Sequence, residues 1–275
     1  MKNVIRLAIL AWLVQSAFAL ELQGQMVQGG MVIGRVAPGT RVTLNGKSVR
    51  VAEDGRFVFG FDRDAPAEAT LHWQRGGETH SKVLAVASRK YRIQKVEGIA
   101  QKVMQPSADD LKRIGQEAAQ VRKARARVLT REDYTAPFVW PLKGPITGVY
   151  GSQRVYNGVP GRPHYGVDVA APVGTPVTTP APGVVTLAHP DMFYSGGTVI
   201  IDHGYGISST LMHLSKVHVK EGDVVKPGDI VADVGASGRA TGPHLDWRMN
   251  WFNARIDPQL LVEPMSDTSA VNTSH

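Results

Sequence analysis

The 275-residue chain contains no cysteine. This removes disulfide staples and thiolate ligands at once, so any exported form must hold itself together by packing, or by a metal bound through His, Asp or Glu. A long apolar run is also missing. The one apolar run, Leu7 to Val14, falls far short of the ~20 residues a membrane span needs. Low-complexity composition is absent too: with 43% apolar and 20% charged residues, a disordered or collagen-like chain is excluded and a sizeable core is expected. The length suggests about two domains.

The first nineteen residues have the three-part layout of an export signal. Lys2 and Arg6 precede the apolar run, and Ala17-Phe18-Ala19 forms a small-x-small cleavage site. The expected location is therefore the periplasm or cell envelope. Charge in the remaining chain is uneven. The stretch from Arg89 to Arg131 carries 12 basic and 4 acidic residues, whereas Glu132 to His275 carries 9 basic and 13 acidic. A stretch so basic could steer the protein to an anionic wall or membrane surface, or could simply be a solvated helix face. Nothing in the pattern suggests nucleic acid.

Three regions follow the signal. Residues 20–88 read as short strands with turn punctuation, including the hairpin signals Asn45-Gly46 and Asp54-Gly55. A small β-sandwich is expected, with His72 and His80 as structural residues. Residues 89–136 change to helical spacing, with Leu111, Ile114, Ala118 and Val121 as a weak apolar stripe. Ser107 followed by Asp109 and Asp110 suits the helix start, and Arg122, Lys123, Arg125 and Arg127 are expected in solvent. Residues 137–262 return to strands and Gly/Pro turns, fitting an antiparallel β domain. Residues 263–275 are small and polar, and a frayed tail is expected.

Three groups in the last domain carry metal-type residues: His164 to Asp168, His213, and His244 to Asp246. Alternation along Pro243 to Trp251 places Leu245, Trp247, Met249 and Trp251 on one face and His244, Asp246, Arg248 and Asn250 on the other. Such a polar set on one face suits a wet site. His164 and Asp168 would lie ~13 Å apart on a straight strand, so the chain must bend near Pro163 and Gly166 for both to serve one metal.

These residues resemble the lysostaphin-like, LytM-type zinc metallopeptidases that cut peptide bonds in bacterial peptidoglycan. The resemblance covers roughly Val139 to Leu261. It rests on His164-x-x-x-Asp168, Ala171-Pro172-x-Gly174-Thr175-Pro176-Val177, Gly183-Val184-Val185, His213-Leu214-Ser215, Gly222-x-x-Val225-x-x-Gly228 and Gly242-Pro243-His244-x-Asp246. It implies that His164 and Asp168 bind one zinc ion, and that His213 and His244 flank the metal-bound water and the scissile carbonyl as catalytic residues. The fold expectation becomes mainly β: an N-terminal sandwich, a helical connector and a C-terminal antiparallel metallopeptidase domain.

One position departs from the family. The last motif usually ends His-x-His with the second His on the metal, and here Asp246 stands in that place. A carboxylate is an accepted zinc ligand at nearly the bond length of imidazole, so Asp246 is expected as the third ligand. The added negative charge should weaken Lewis acidity and relax metal choice. The rival reading is an ion pair between Asp246 and Arg248 that leaves a broken site. The functional expectation is an exported endopeptidase acting on peptidoglycan peptides. The alternative is a non-catalytic LytM-type adaptor that binds and activates another wall hydrolase. Tyr150, Tyr156, Tyr165 and Tyr194 are candidates for cleft walls.

Overall fold

A computed structural model describes residues 19–96, 107–156 and 158–265, and the chain divides into two compact units between Arg89 and Lys90. The expected export signal, apart from its last residue, and the part of the expected tail beyond Met265 lie outside the described residues. The protein is mainly β. Among the described residues, no helix is long and apolar enough to cross a membrane.

Among its described residues the first unit holds seven strands: β1 (Glu21–Gly24), β2 (Met31–Arg35), β3 (Arg41–Leu44), β4 (Lys47–Val49), β5 (Arg56–Gly60), β6 (Glu68–Arg75) and β7 (Glu78–Ala85). They form two sheets, ordered β1-β2-β5 and β4-β3-β6-β7. Asn45-Gly46 closes the β3–β4 hairpin, with both residues at positive φ (49° and 76°), as a two-residue turn of this hand requires. Asp54-Gly55 turns the chain between the sheets, closed by the bridge Val51–Phe57 and by the Ala52 N–H to the Arg56 carbonyl at 2.7 Å. Phe57, Phe59 and Leu71 are fully buried, each worth roughly 1.5–3 kcal/mol of transfer free energy. His80 stacks on Trp73, with ring centroids 5.5 Å apart.

The second unit opens with β8 (Ile93–Val96), where helical spacing was expected from about Lys90. It pairs in parallel with β10 (Gln153–Tyr156), and β11 (Val159–Pro160) completes that small sheet. Four residues are too few for periodicity to declare a strand whose partner lies some sixty positions away.

Helix α1 (Ala108–Ala126) begins where expected. Ser107 caps it, accepting the Asp110 N–H while the Asp110 carboxylate takes the Ser107 N–H, and Asp109 and Asp110 meet the positive helix end. Its inward face overlaps the expected stripe, with Ile114, Ala118 and Val121 half-buried, but is shifted toward Glu117 and Ala124. Leu111 is 58% exposed, and Glu117, Val121 and Ala124 pack inward, with Ala124 against Leu187, Met192 and Ile200. Glu117 is satisfied there by Arg113 and by the Phe193 N–H.

The remaining strands are β9 (Ile146–Gly148), β12 (Gly166–Ala170), β13 (Pro176–Thr178), β14 (Gly183–Met192), β15 (Gly196–Gly204), β16 (Ile207–Val217), β17 (Val224–Val225), β18 (Ile230–Val234), β19 (His244–Trp251) and β20 (Ala254–Ile256). They make one ten-stranded sheet along β17-β14-β15-β16-β19-β12-β9, with β13, β18 and β20 added off that path. Leu245, Trp247 and Met249 lie on its core side with no exposed surface, as the alternation along β19 implied. The opposite side carries the polar residues of β12, β16 and β19, and α1 lies over the β14–β15 end of that same side, since Ile200 pairs with Thr210 and Thr210 with Arg248.

Candidate metal centre

His164 precedes β12 in an irregular segment. Its backbone is held on both sides, with the His164 N–H bonded to the Ser152 carbonyl at 2.8 Å and the Gly151 N–H to the His164 carbonyl at 2.7 Å. The bend between His164 and Asp168 required by the sequence is therefore present. Asp168 on β12 sits directly opposite Asp246 on β19. The ligand atoms of His164, Asp168 and Asp246 all lie within 4.8 Å of one another.

Contacts within the trio are close. His164 Nε2 is 3.2 Å from Asp168 Oδ1, and His164 Nδ1 is 4.0 Å from Asp246 Oδ2. The shorter contact is off the line of a hydrogen bond, and both of its atoms are buried without a hydrogen-bond partner. Buried polar atoms are normally paired, so two orphans beside a third donor atom fit a cation-shaped site, and an imidazole with two carboxylates suits zinc. Burial alone would depress the His164 pKa, but the contact with Asp168 and the charges of Asp246 and Asp168 outweigh it and raise the value.

Asp246 makes the ion pair of the rival reading and also lies beside the other two residues of the trio. Arg248 grips its carboxylate through Nε (3.0 and 3.1 Å) and Nη2 (2.6 Å), as the rival reading required, yet Asp246 still faces His164 and Asp168. Asp246 is 2% exposed. Burial pushes its pKa up, but the Arg248 charge and hydrogen bonds, with His164 and His213, hold it below the ordinary carboxylate value. Glycines make the room. A Cβ on Gly166, opposite Arg248, would stand 2.5 Å from Asp246 Oδ1, and one on Gly148 would collide with the Asp168 carboxylate.

His213 reaches this group through a β-bulge. Thr198 on β15 stands between the pairs Gly197–Leu214 and Val199–Leu211, so Met212 and His213 together oppose one residue. His213 takes φ 65°, a costly conformation for a non-glycine residue that clusters at functional sites. Its Nδ1 is 2.9 Å from the Ser237 carbonyl, and His244 Nδ1 is 2.8 Å from the Gly242 carbonyl. A carbonyl only accepts, so each ring carries its proton on Nδ1 and leaves Nε2 as the basic nitrogen. The two rings lie 4.8 Å apart, and His244 Nε2 is 3.8 Å from Asp168 Oδ1. Burial lowers the His213 pKa despite the Ser237 carbonyl and Asp246.

Other expectations fare differently. Tyr150 is buried and donates to the Arg255 carbonyl, so it is no cleft wall. Tyr165 lies under the Arg255 guanidinium at 5.3 Å, and Tyr194 under that of Arg239 at 4.7 Å. The Tyr156 side chain lies outside the described residues. Arg125 is not in open solvent: its Nη2 donates to Thr210 at 3.0 Å beneath α1, and Arg127 pairs with Glu221. Sequence reasoning missed the Ser237 and Gly242 carbonyls, which no side chain announces, and saw Arg248 only as a competitor.

Residues 162–258 match peptidase family M23. A crystal structure assigned to peptidase M23 from Pseudomonas aeruginosa is 32% identical, with a TM-score of 0.68, over 86% of this chain and 95% of that one. The chain belongs to the M23 peptidase family. Among curated proteins it is 36% identical over 140 residues to the peptidoglycan DD-endopeptidase ShyB of Vibrio cholerae, covering 50% of this chain and 30% of that protein. It is 42% identical over 105 residues to the DD-carboxypeptidase/endopeptidase Mpg of Neisseria meningitidis, covering 38% of this chain and 23% of that one. The chain thus spans less than a third of the length of these relatives.

Proposed function

We propose that the chain is an exported zinc metalloendopeptidase hydrolysing peptide cross-links of bacterial peptidoglycan. In this reading His164, Asp168 and Asp246 hold zinc, and His213 and His244 do the proton work. The observation that carries it is the convergence of three ligand atoms, two of them buried orphans, beside two imidazoles anchored at Nδ1. Relatives named as peptidoglycan endopeptidases support the substrate class, and the signal-like residues 1–19 support export.

A bound zinc supplies Lewis-acid polarisation of a scissile carbonyl and a lowered pKa for water in an open position. The chain contributes the rest. His213, kept neutral by burial, presents Nε2 as an acceptor for a proton from the attacking water. His244 would act as the doubly protonated ring, the proton on Nε2, beside the trio, holding the developing oxyanion or passing to the leaving amine. The Ser237 and Gly242 carbonyls hold the Nδ1 protons and orient both rings.

Metal analysis beside a wall-degradation assay tests the reading. His164→Ala and Asp246→Ala should lose stoichiometric zinc. His213→Ala should keep zinc and lose turnover by roughly a hundredfold or more. A native protein that binds no metal and yet stimulates another wall hydrolase would instead establish the adaptor.

A further inference from the structure

Arg248 stands where the polar side of β19 meets the trio, and its contacts are unusually complete for a residue outside a proposed ligand set. Two of its N–H groups bind Asp246, Nε reaching both carboxylate oxygens and Nη2 reaching Oδ2 at 2.6 Å. A carboxylate has about four lone-pair sites and these contacts engage three, so one remains, on Oδ1, for another partner. Gly166, its cross-strand partner on β12, leaves the space that the Asp246–Arg248 pair occupies; a Cβ there would lie 2.6 Å from Arg248 Cγ. The pair is built into the backbone, on the side of the sheet that carries Asp168 and His164.

Charge decides what the pair does. Two carboxylates on the cation would cancel its charge completely and weaken it as a Lewis acid. A guanidinium fixed on one carboxylate restores one positive charge at the site without occupying a coordination position. We infer that Arg248 sets the charge of the metal site: Asp246 and Arg248 act as one unit, a carboxylate ligand whose negative charge is cancelled in place. The inference rests on the reading of Asp246 as a ligand. It replaces the expectation that the second carboxylate leaves the cation weakly acidic.

The test measures zinc affinity on metal-depleted full-length protein by competition with a chromophoric chelator, together with melting temperature and turnover at saturating zinc. In Arg248→Met the two carboxylates face the cation uncompensated. The metal-free protein should melt lower, zinc should bind at least about tenfold tighter, and turnover per bound zinc should fall about tenfold. A purely structural Arg248 would lower the melting temperature and leave affinity unchanged. Unchanged or weakened zinc affinity overturns the inference. If Arg248→Met does not fold, Arg248→Lys keeps the charge and should hold zinc affinity within about threefold of wild type; a tenfold change there overturns it. The double variant Asp246→His with Arg248→Met should regain near-native affinity, while Asp246→His alone, leaving a guanidinium uncompensated beside the cation, should lose at least about tenfold. A double variant that stays at least about tenfold weaker than wild type also overturns it. Asp246→Ala separates the two claims: full zinc retention there defeats the ligand reading itself, whatever Arg248 does.

Discussion

Asp168 and Asp246 stand directly opposite each other on antiparallel neighbours, two carboxylates in register on one side of the sheet. Like charges so placed repel. Arg248 bound to Asp246 and His164 in contact with Asp168 offset that repulsion in the metal-free protein, and a divalent cation would offset it further.

Zinc should therefore stabilise the fold as well as complete the site. At a free concentration of a hundred times Kd, linkage gives about 2.7 kcal/mol, or about 5–10 °C in Tm for a unit of this size. Differential scanning calorimetry with and without zinc should show this rise in the native protein and no rise in His164→Ala. An equal rise in both would mean that zinc binds elsewhere.

The glycines behind the carboxylates should be as sensitive as the carboxylates. Gly166→Ala forces a methyl against Asp246 Oδ1 and the Trp247 carbonyl, and Gly148→Ala pushes one into the Asp168 carboxylate. Each should cost about 1–3 kcal/mol in urea unfolding and reduce zinc affinity. Native zinc binding in both variants would show that the carboxylates shift freely and that the cradle does not matter.

His203 on β15 supplies a pH dependence away from the site. It is fully buried, its Nδ1 2.6 Å from the Pro182 carbonyl and its Nε2 2.7 Å from Ser209 Oγ, and burial pulls its pKa down to about 4. The unfolded chain takes a proton near 6.5, so the neutral ring's contribution is complete above pH 6.5 and is lost as pH falls toward 4. The loss should reach about 3 kcal/mol. Urea titrations across that range should show a shallower pH slope in His203→Gln than in the native protein. Parallel slopes would refute the assignment.

Arg125 should prove destabilising. Burial, with Arg255 and Arg248 nearby, pushes its pKa down to about 9, and its buried Nε has no hydrogen-bond partner among the described residues. A cation with a depressed folded pKa carries its penalty at every pH below that value. Arg125→Met should thus gain about 1–2 kcal/mol at pH 7, read as a higher Tm. A lower Tm would mean that the contact with Thr210 outweighs the desolvation.

Much of this was legible in the residue order. Alternation along His244 to Trp251 separated the core face from the polar face because a strand has a period of two and one side of this sheet is buried. Asn45-Gly46 announced its hairpin and Ser107 its cap, since both act through neighbours a few positions away. The legible part ended where a partner was distant. Ile93–Val96 became a strand only by pairing with Gln153–Tyr156. Arg125 went inward because Thr210 and the β14–β15 surface lay beneath its helix. Plain alternation would put His213 beside Leu211 on the core face, and the extra residue opposite Thr198 turned it over.

The order of residues by itself determined the donor types, the mainly β character and the side of β19 on which Asp246 and Arg248 lie, because these follow from composition and local periodicity. Only the tertiary structure decided that one carboxylate keeps both its guanidinium and its place beside His164 and Asp168. That outcome depends on distances between strands far apart in sequence, and on the room left by two glycines that no local pattern ties to the site.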